Sequence, residues 1–103
     1  MEGELLKFQG GLFSAWQTFY FVLHQDTFNQ LDSKTRKPLG SVHLKVAKVS
    51  AVARDPLQIC LFNGTNDVIF KAKTIKEKVA WQNALVDHIK KTNEGAFQYL
   101  NPK

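Results

Sequence analysis

A chain of 103 residues has room for one domain with one hydrophobic core, and at this size about two thirds of the unfolded surface can be buried. Its 44% hydrophobic and 22% charged residues exclude intrinsic disorder, and apolar runs such as Phe19 to Leu23 fall far short of the roughly 18 residues that span a bilayer. The formal net charge of +5 suits an anionic partner, whether lipid headgroup, nucleic acid or acidic protein, or else only a well-solvated surface. Glu2 and Glu4 stand where a secretory leader would carry positive charge, and the single Cys60 has no internal disulfide partner. A reducing, cytoplasmic setting is expected.

In chain order, a first strand is predicted over Glu4 to Phe8, ending at Gln9-Gly10-Gly11. The second spans Trp16 to Leu23. Thr18, Tyr20 and Val22 share one face and Phe19, Phe21 and Leu23 the other, so this strand is predicted to be covered on both sides. Gln25-Asp26 turns the chain into a third strand, Thr27 to Leu31, which the turn-rich segment Asp32 to Pro38 closes. Val42, Leu44 and Val46 alternate with His43 and Lys45 as a fourth strand, and Lys48 to Ala53 continues as a fifth. After Asp55-Pro56, a sixth strand covers Gln58 to Phe62, and Asn63-Gly64 turns into a seventh over Val68 to Ala72.

The pattern changes at Thr74. From there to Lys91 the apolar residues Val79, Trp81, Leu85, Val86 and Ile89 recur near helical spacing, without Gly or Pro. Thr74 and Glu77 match a capping box, and Lys90 and Lys91 suit the negative end of the helix dipole. Trp81, Leu85 and Ile89, at i, i+4 and i+8, form a stripe that can plug an open end of a sandwich. The domain is expected over residues 1–92, with 93–103 as an extension carrying Phe97, Tyr99 and Leu100.

Seven short strands followed by one long helix with a Trp inside it resemble the pleckstrin-homology (PH) family. Met1-Glu2-Gly3-Glu4-Leu5-Leu6-Lys7-Phe8 is similar to the family's G-x-L-x-K opening, and Trp16-Gln17-Thr18-Phe19-Tyr20-Phe21-Val22-Leu23 to its W-x-x-R-W/Y-F-V-L second strand. The pattern most resembles the Golgi subgroup of four-phosphate adaptor, oxysterol-binding and ceramide-transfer proteins. The resemblance implies a mostly β fold, a seven-stranded antiparallel sandwich or barrel capped by one C-terminal helix. It also implies a basic pocket at the open end that takes a phosphoinositide headgroup, phosphatidylinositol 4-phosphate by analogy to the subgroup.

Lys7 matches the lysine that closes the first strand in the family. Gln17 and Phe19 depart from it, standing where a basic residue and an arginine are usual; a phenylalanine makes no charge-assisted bond to phosphate, so a weakened or displaced headgroup site is expected. Leu12 and Phe13, framed by Gly10-Gly11 and Ser14-Ala15, are large apolar groups at a loop tip, where the subgroup carries a membrane-inserting wedge. Lys34, Arg36, Lys37 and His43 are candidate cationic contacts for the headgroup, each worth roughly 1 kcal/mol near an anionic leaflet. Their bland counterpart is a solvated turn. Arg54 can equally well pair with Asp55.

His24, His43 and His88 have no ligand spacing for a metal, and no nucleophile elbow or phosphate loop occurs. No enzyme, cofactor or metal is therefore expected. The expected partner of this peripheral-membrane monomer is a phosphoinositide on an anionic membrane surface, on Golgi or endosome. The alternative is a small GTPase or other protein bound by a fold that serves many such modules. Nucleic acid is not expected, because the aromatics fall largely at core positions.

Overall fold

The computed structural model describes residues 1–12, 15–51 and 54–95. Its strands are β1 (Glu2–Gln9), β2 (Ala15–His24), β3 (Thr27–Leu31), β4 (Pro38–His43), β5 (Lys48–Ala51), β6 (Gln58–Phe62) and β7 (Asp67–Lys71), followed by the helix α1 (Ile75–Asn93). The seven strands form one antiparallel sheet in the order β4-β3-β2-β1-β7-β6-β5. β1 pairs with β2 along its whole length, from Glu2 opposite Val22 to Gln9 opposite Ala15, but with β7 only at Leu6 and Lys7. The sheet folds over at this narrow seam. Phe21 and Phe28 of one half meet Phe70 of the other, with ring centroids 5.1 and 5.5 Å apart and near-perpendicular planes.

α1 packs on the β5–β6 edge and on one turn of 3₁₀ helix at Leu44–Val46. Thr74 caps it, its hydroxyl accepting the Glu77 N–H at 3.1 Å, and Gly95 ends it in the left-handed conformation at φ 74°. Trp81 and Leu85 are buried and Ile89 packs against the core, so the expected stripe is the packing face. Val79 and Val86 are half exposed and lie off that face.

Two other expectations are corrected. β2 is buried on one side only: Phe19, Phe21 and Leu23 enter the core, whereas Thr18, Tyr20 and Val22 are partly exposed on the outer face. The fourth strand stops at His43 and does not run through to Val46. There the His43 imidazole accepts the Lys45 N–H at 3.2 Å and the Leu44 N–H bonds Asp26 O at 2.8 Å, which winds the next residues into the 3₁₀ turn. Leu44 is thereby fully buried while Val46 is 51% exposed. Alternation across a strand and one helical turn look alike over so few residues. Val52, Ala53 and the span 96–103 lie outside the described residues.

The Asn63-Gly64 turn forms as predicted, with Asn63 Oδ1 accepting the Thr65 and Asn66 N–H groups. Gly64 sits at φ 100°, and a Cβ there would fall 2.8 Å from Val46 Cγ2. Gly64→Ala is expected to cost about 1–3 kcal/mol in urea denaturation, from backbone strain and the clash together.

Candidate functional site

Strand parity fixes what faces the mouth of the folded sheet. Lys7 lies on the same side of β1 as buried Leu5, opposite Gln17 of β2. It points into a cavity of about 240 Å³ whose floor is Phe21, Phe28, Val68 and Phe70 and whose rim includes Gln30, Ser41 and Asn63. The Lys7 ammonium donates to Gln30 Oε1 at 2.9 Å. Burial pulls the Lys7 pKa below its usual value, because the mouth partly strips its water, and a bound phosphate would again favour the charged form. Lys7 is the one charged group among the described residues that line this cavity.

Gln17 and Phe19 lie on the same inward side of β2. Phe19 is buried against Phe21, with ring centroids 6.4 Å apart, so the core extends where the family carries an arginine.

Leu12 is 90% exposed on the loop that follows β1, beyond Gly11 at φ 113°. Phe13, expected beside it, lies outside the described residues. Directly behind the loop, on the outer face, Phe8 and Trp16 are paired edge to face at 5.3 Å, and Lys71 Nζ lies 5.6 Å from the Trp16 ring. Phe8 is 39% exposed. Sequence reading passed over this aromatic shelf, since Trp16 served only as a strand marker; the register Phe8 opposite Trp16 is what makes the two one surface. Lys71 also pairs with Asp55 at 3.2 Å, in the place suggested for Arg54.

None of the remaining candidate cations is among the residues lining the Lys7 cavity. Asp32 organises their loop: its Oδ2 accepts the N–H groups of Lys34 and Thr35 and the Thr35 hydroxyl, while Asp32 O accepts the Arg36 N–H. Arg36 adopts φ 63°, and its guanidinium lies 3.5 Å from the Tyr20 ring centroid, on the outer face and away from the cavity. Lys34 and Lys37 are exposed. His43 is at the far end of the sheet: it pairs with Thr27, which pairs with His24, nine steps along β2 from Ala15, or about 30 Å. It faces Asp26 there, with Nε2 3.4 Å from the carboxylate. Arg36 and His43 are therefore engaged outside the Lys7 cavity, on Tyr20 and Asp26.

The hydrogen bonds from Thr35 and Lys34 hold the Asp32 carboxyl below the usual range, and that from the Leu57 N–H does the same for Asp55. A folded-state pKa below the unfolded value of about 3.9 gives stabilisation that is complete above that pH and is lost as pH falls through the folded value. The Asp32 loop is therefore expected to loosen selectively below about pH 4. Protection of the Lys34 and Thr35 amides, relative to their intrinsic exchange rates, should fall there, and Asp32→Ala should lower it in the same way at pH 7.

Residues 1–90 match the family model for the PH domain. The chain belongs to the PH domain family. Oxysterol-binding protein-related protein 1C of Arabidopsis thaliana is 38% identical to this PH domain over 50 residues, covering 48% of the chain and 6% of that protein. The chain thus spans only a small part of that relative's length. Among solved structures, the PH domain of human oxysterol binding protein-related protein 11 superimposes with a TM-score of 0.80 at 22% identity, over 92% of this chain and 83% of that one. The C-terminal PH domain of pleckstrin, solved with D-myo-Ins(1,2,3,5,6)P5, gives a TM-score of 0.75 at 26% identity, over 86% and 93%. Among the described residues, no helix of this PH domain is long and apolar enough to cross a membrane.

Proposed function

We propose that this PH domain is a membrane-recruitment module that docks mouth-first, inserting Leu12 and binding one phosphate of a phosphoinositide headgroup, preferentially the 4-phosphate. The observation that carries this reading is the juxtaposition of a nearly fully exposed leucine with the one cation of the mouth cavity, three residues beyond the end of the strand that holds Lys7. Leucine at a loop tip is costly in water, and burial in lipid contributes about 1.5–3 kcal/mol. Phe8 and Trp16 supply the amphipathic ring surface that suits the interface between water and hydrocarbon.

The chemistry of the cavity supports a single phosphate. One ammonium with neutral donors from Gln30, Ser41 and Asn63 can satisfy one phosphate monoester, but it lacks the several cations that a polyphosphorylated ring needs. The structural relative bound to an inositol pentakisphosphate supports an inositol phosphate as the ligand class. The net charge of +5 adds steering toward an anionic leaflet, screened by salt. Phe13 would share the insertion, and Lys34 and Lys37 the steering, whereas Arg36 on Tyr20 and His43 on Asp26 are engaged elsewhere.

Flotation with liposomes of phosphatidylcholine alone, with phosphatidylinositol, with the 4-phosphate and with the 4,5-bisphosphate tests the proposal. Tightest binding to the 4-phosphate vesicles is expected. Equal binding to neutral vesicles would discard headgroup recognition, and a marked preference for the bisphosphate would discard the single-phosphate site.

A further inference from the structure

A second concavity, larger than the mouth cavity, lies on the outer face of β2, β3 and β4. It is an open groove of about 670 Å³ with Val22 and Leu31 as floor and Pro38 and Leu39 along one wall. Rows of paired residues cross this face. Tyr20, Leu31 and Pro38 form one, and Val22, Asn29 and Ser41 the next. At the first row the Arg36 guanidinium lies on Tyr20, and among the described residues neither Arg36 nor Lys37 forms an ion pair. The groove therefore runs toward His24 from an end where Arg36 and Lys37 outnumber the Glu2 carboxylate that accepts a hydrogen bond from Tyr20.

The wall of the groove is also an edge. β4 is terminal in the sheet, so among the described residues alternate N–H and C=O groups along it have no strand partner. Leu39 is 52% exposed, and from Leu39 to Ser41 the edge carries no charge. Only Pro38 and the bulge between Gln30 and Leu31 guard it, both at one end.

The geometry points to an extended peptide as the occupant: a strand of five or so residues that pairs with the free edge of β4, places alternate apolar side chains in the groove, and carries a carboxylate at the end beside Arg36 and Lys37. An acyl chain would satisfy the apolar floor but none of the unpaired backbone groups. A basic peptide would meet like charge at the entrance. The groove meets the mouth cavity along β4 at Leu39, Gly40 and Ser41, but its floor, Val22 and Leu31, is not part of that cavity, and the inference does not rest on the membrane reading.

The test is selection of a displayed random-octapeptide library on the intact domain, subtracting peptides retained by the Leu39→Asp variant, followed by amide-exchange NMR with the enriched peptide. The expected result is a consensus of alternating apolar residues with Asp or Glu at one end. Its binding should slow exchange of the β4 amides at least tenfold and weaken at least tenfold in Arg36→Glu, a surface variant that leaves the groove floor intact. Three results would overturn the inference: no enrichment over Leu39→Asp, a consensus without acidic residues, or shifts centred on Lys7, Gln30 and Asn63. A groove that takes decanoate but no peptide would likewise overturn it.

Discussion

Trp81→Ala is expected to remove about 3–5 kcal/mol of stability and to lower the melting temperature by at least roughly 12 °C. The indole is 3% exposed and meets Phe28 edge-on at 6.0 Å, and Phe28 in turn stacks on Phe21 at 5.0 Å. Phe70 stands perpendicular to both of these rings, so one aromatic chain joins the two halves of the folded sheet to the helix. The backbone at Gly3 lies close to the indole, where a Cβ would come within 3.6 Å of Trp81 Cζ2. Removing the indole leaves a cavity bounded by strand backbone that cannot collapse far, and the 19-residue helix loses the burial that sustains it. A domain of this size holds about 5–15 kcal/mol in total, so the variant should be partly unfolded at physiological temperature. Urea denaturation read by near-ultraviolet circular dichroism checks this. A loss below 1 kcal/mol would show that the helix is dispensable.

Leu12→Ser is expected to do the opposite, leaving stability within about 0.5 kcal/mol while weakening vesicle binding by tenfold to more than a hundredfold. The side chain is 90% exposed, so the folded protein loses no packing, and only the transfer to hydrocarbon is lost. Lys7→Gln is the informative partner. It should abolish preference for the 4-phosphate while retaining residual binding to anionic vesicles, because Leu12, the aromatic pair and the net charge remain. Sedimentation with vesicles of graded composition, repeated at two salt concentrations, separates the two. If Leu12→Ser binds as well as the parent, insertion at this loop is not the source of affinity.

The contrast between these two leucine and tryptophan sites shows what sequence carries and what it leaves open. Helical spacing at Trp81, Leu85 and Ile89, the cap at Thr74 and the alternation in β2 are local signals. The stripe and the inward face of β2 are enforced by burial and the cap by its own hydrogen bond, so the strands and the helix were legible. The β4 boundary was not, because a side chain, His43, and a carbonyl from another hairpin, that of Asp26, decide where extended backbone gives way to a turn.

The site divides in the same way. Lys7 and Leu12 follow from their place at the end of β1, whereas the direction of Arg36 depends on a positive φ and on Tyr20 two strands away. Counting lysines and arginines along a loop gives charge but not heading. The Phe8 and Trp16 shelf was hidden for a related reason: the two are eight positions apart across the loop, and only the β1–β2 register brings them together.

Relaxation of backbone and side-chain signals by nitroxide-bearing lipids, with the domain bound to bicelles containing phosphatidylinositol 4-phosphate, reads immersion residue by residue. Strongest broadening at Gly10 to Leu12, then at Phe8 and Trp16, with Lys7 shifted by headgroup and α1 untouched, is the expected outcome. Broadening centred on α1 or on the turn between His24 and Thr27, with residues 10–12 unaffected, would contradict docking through the mouth.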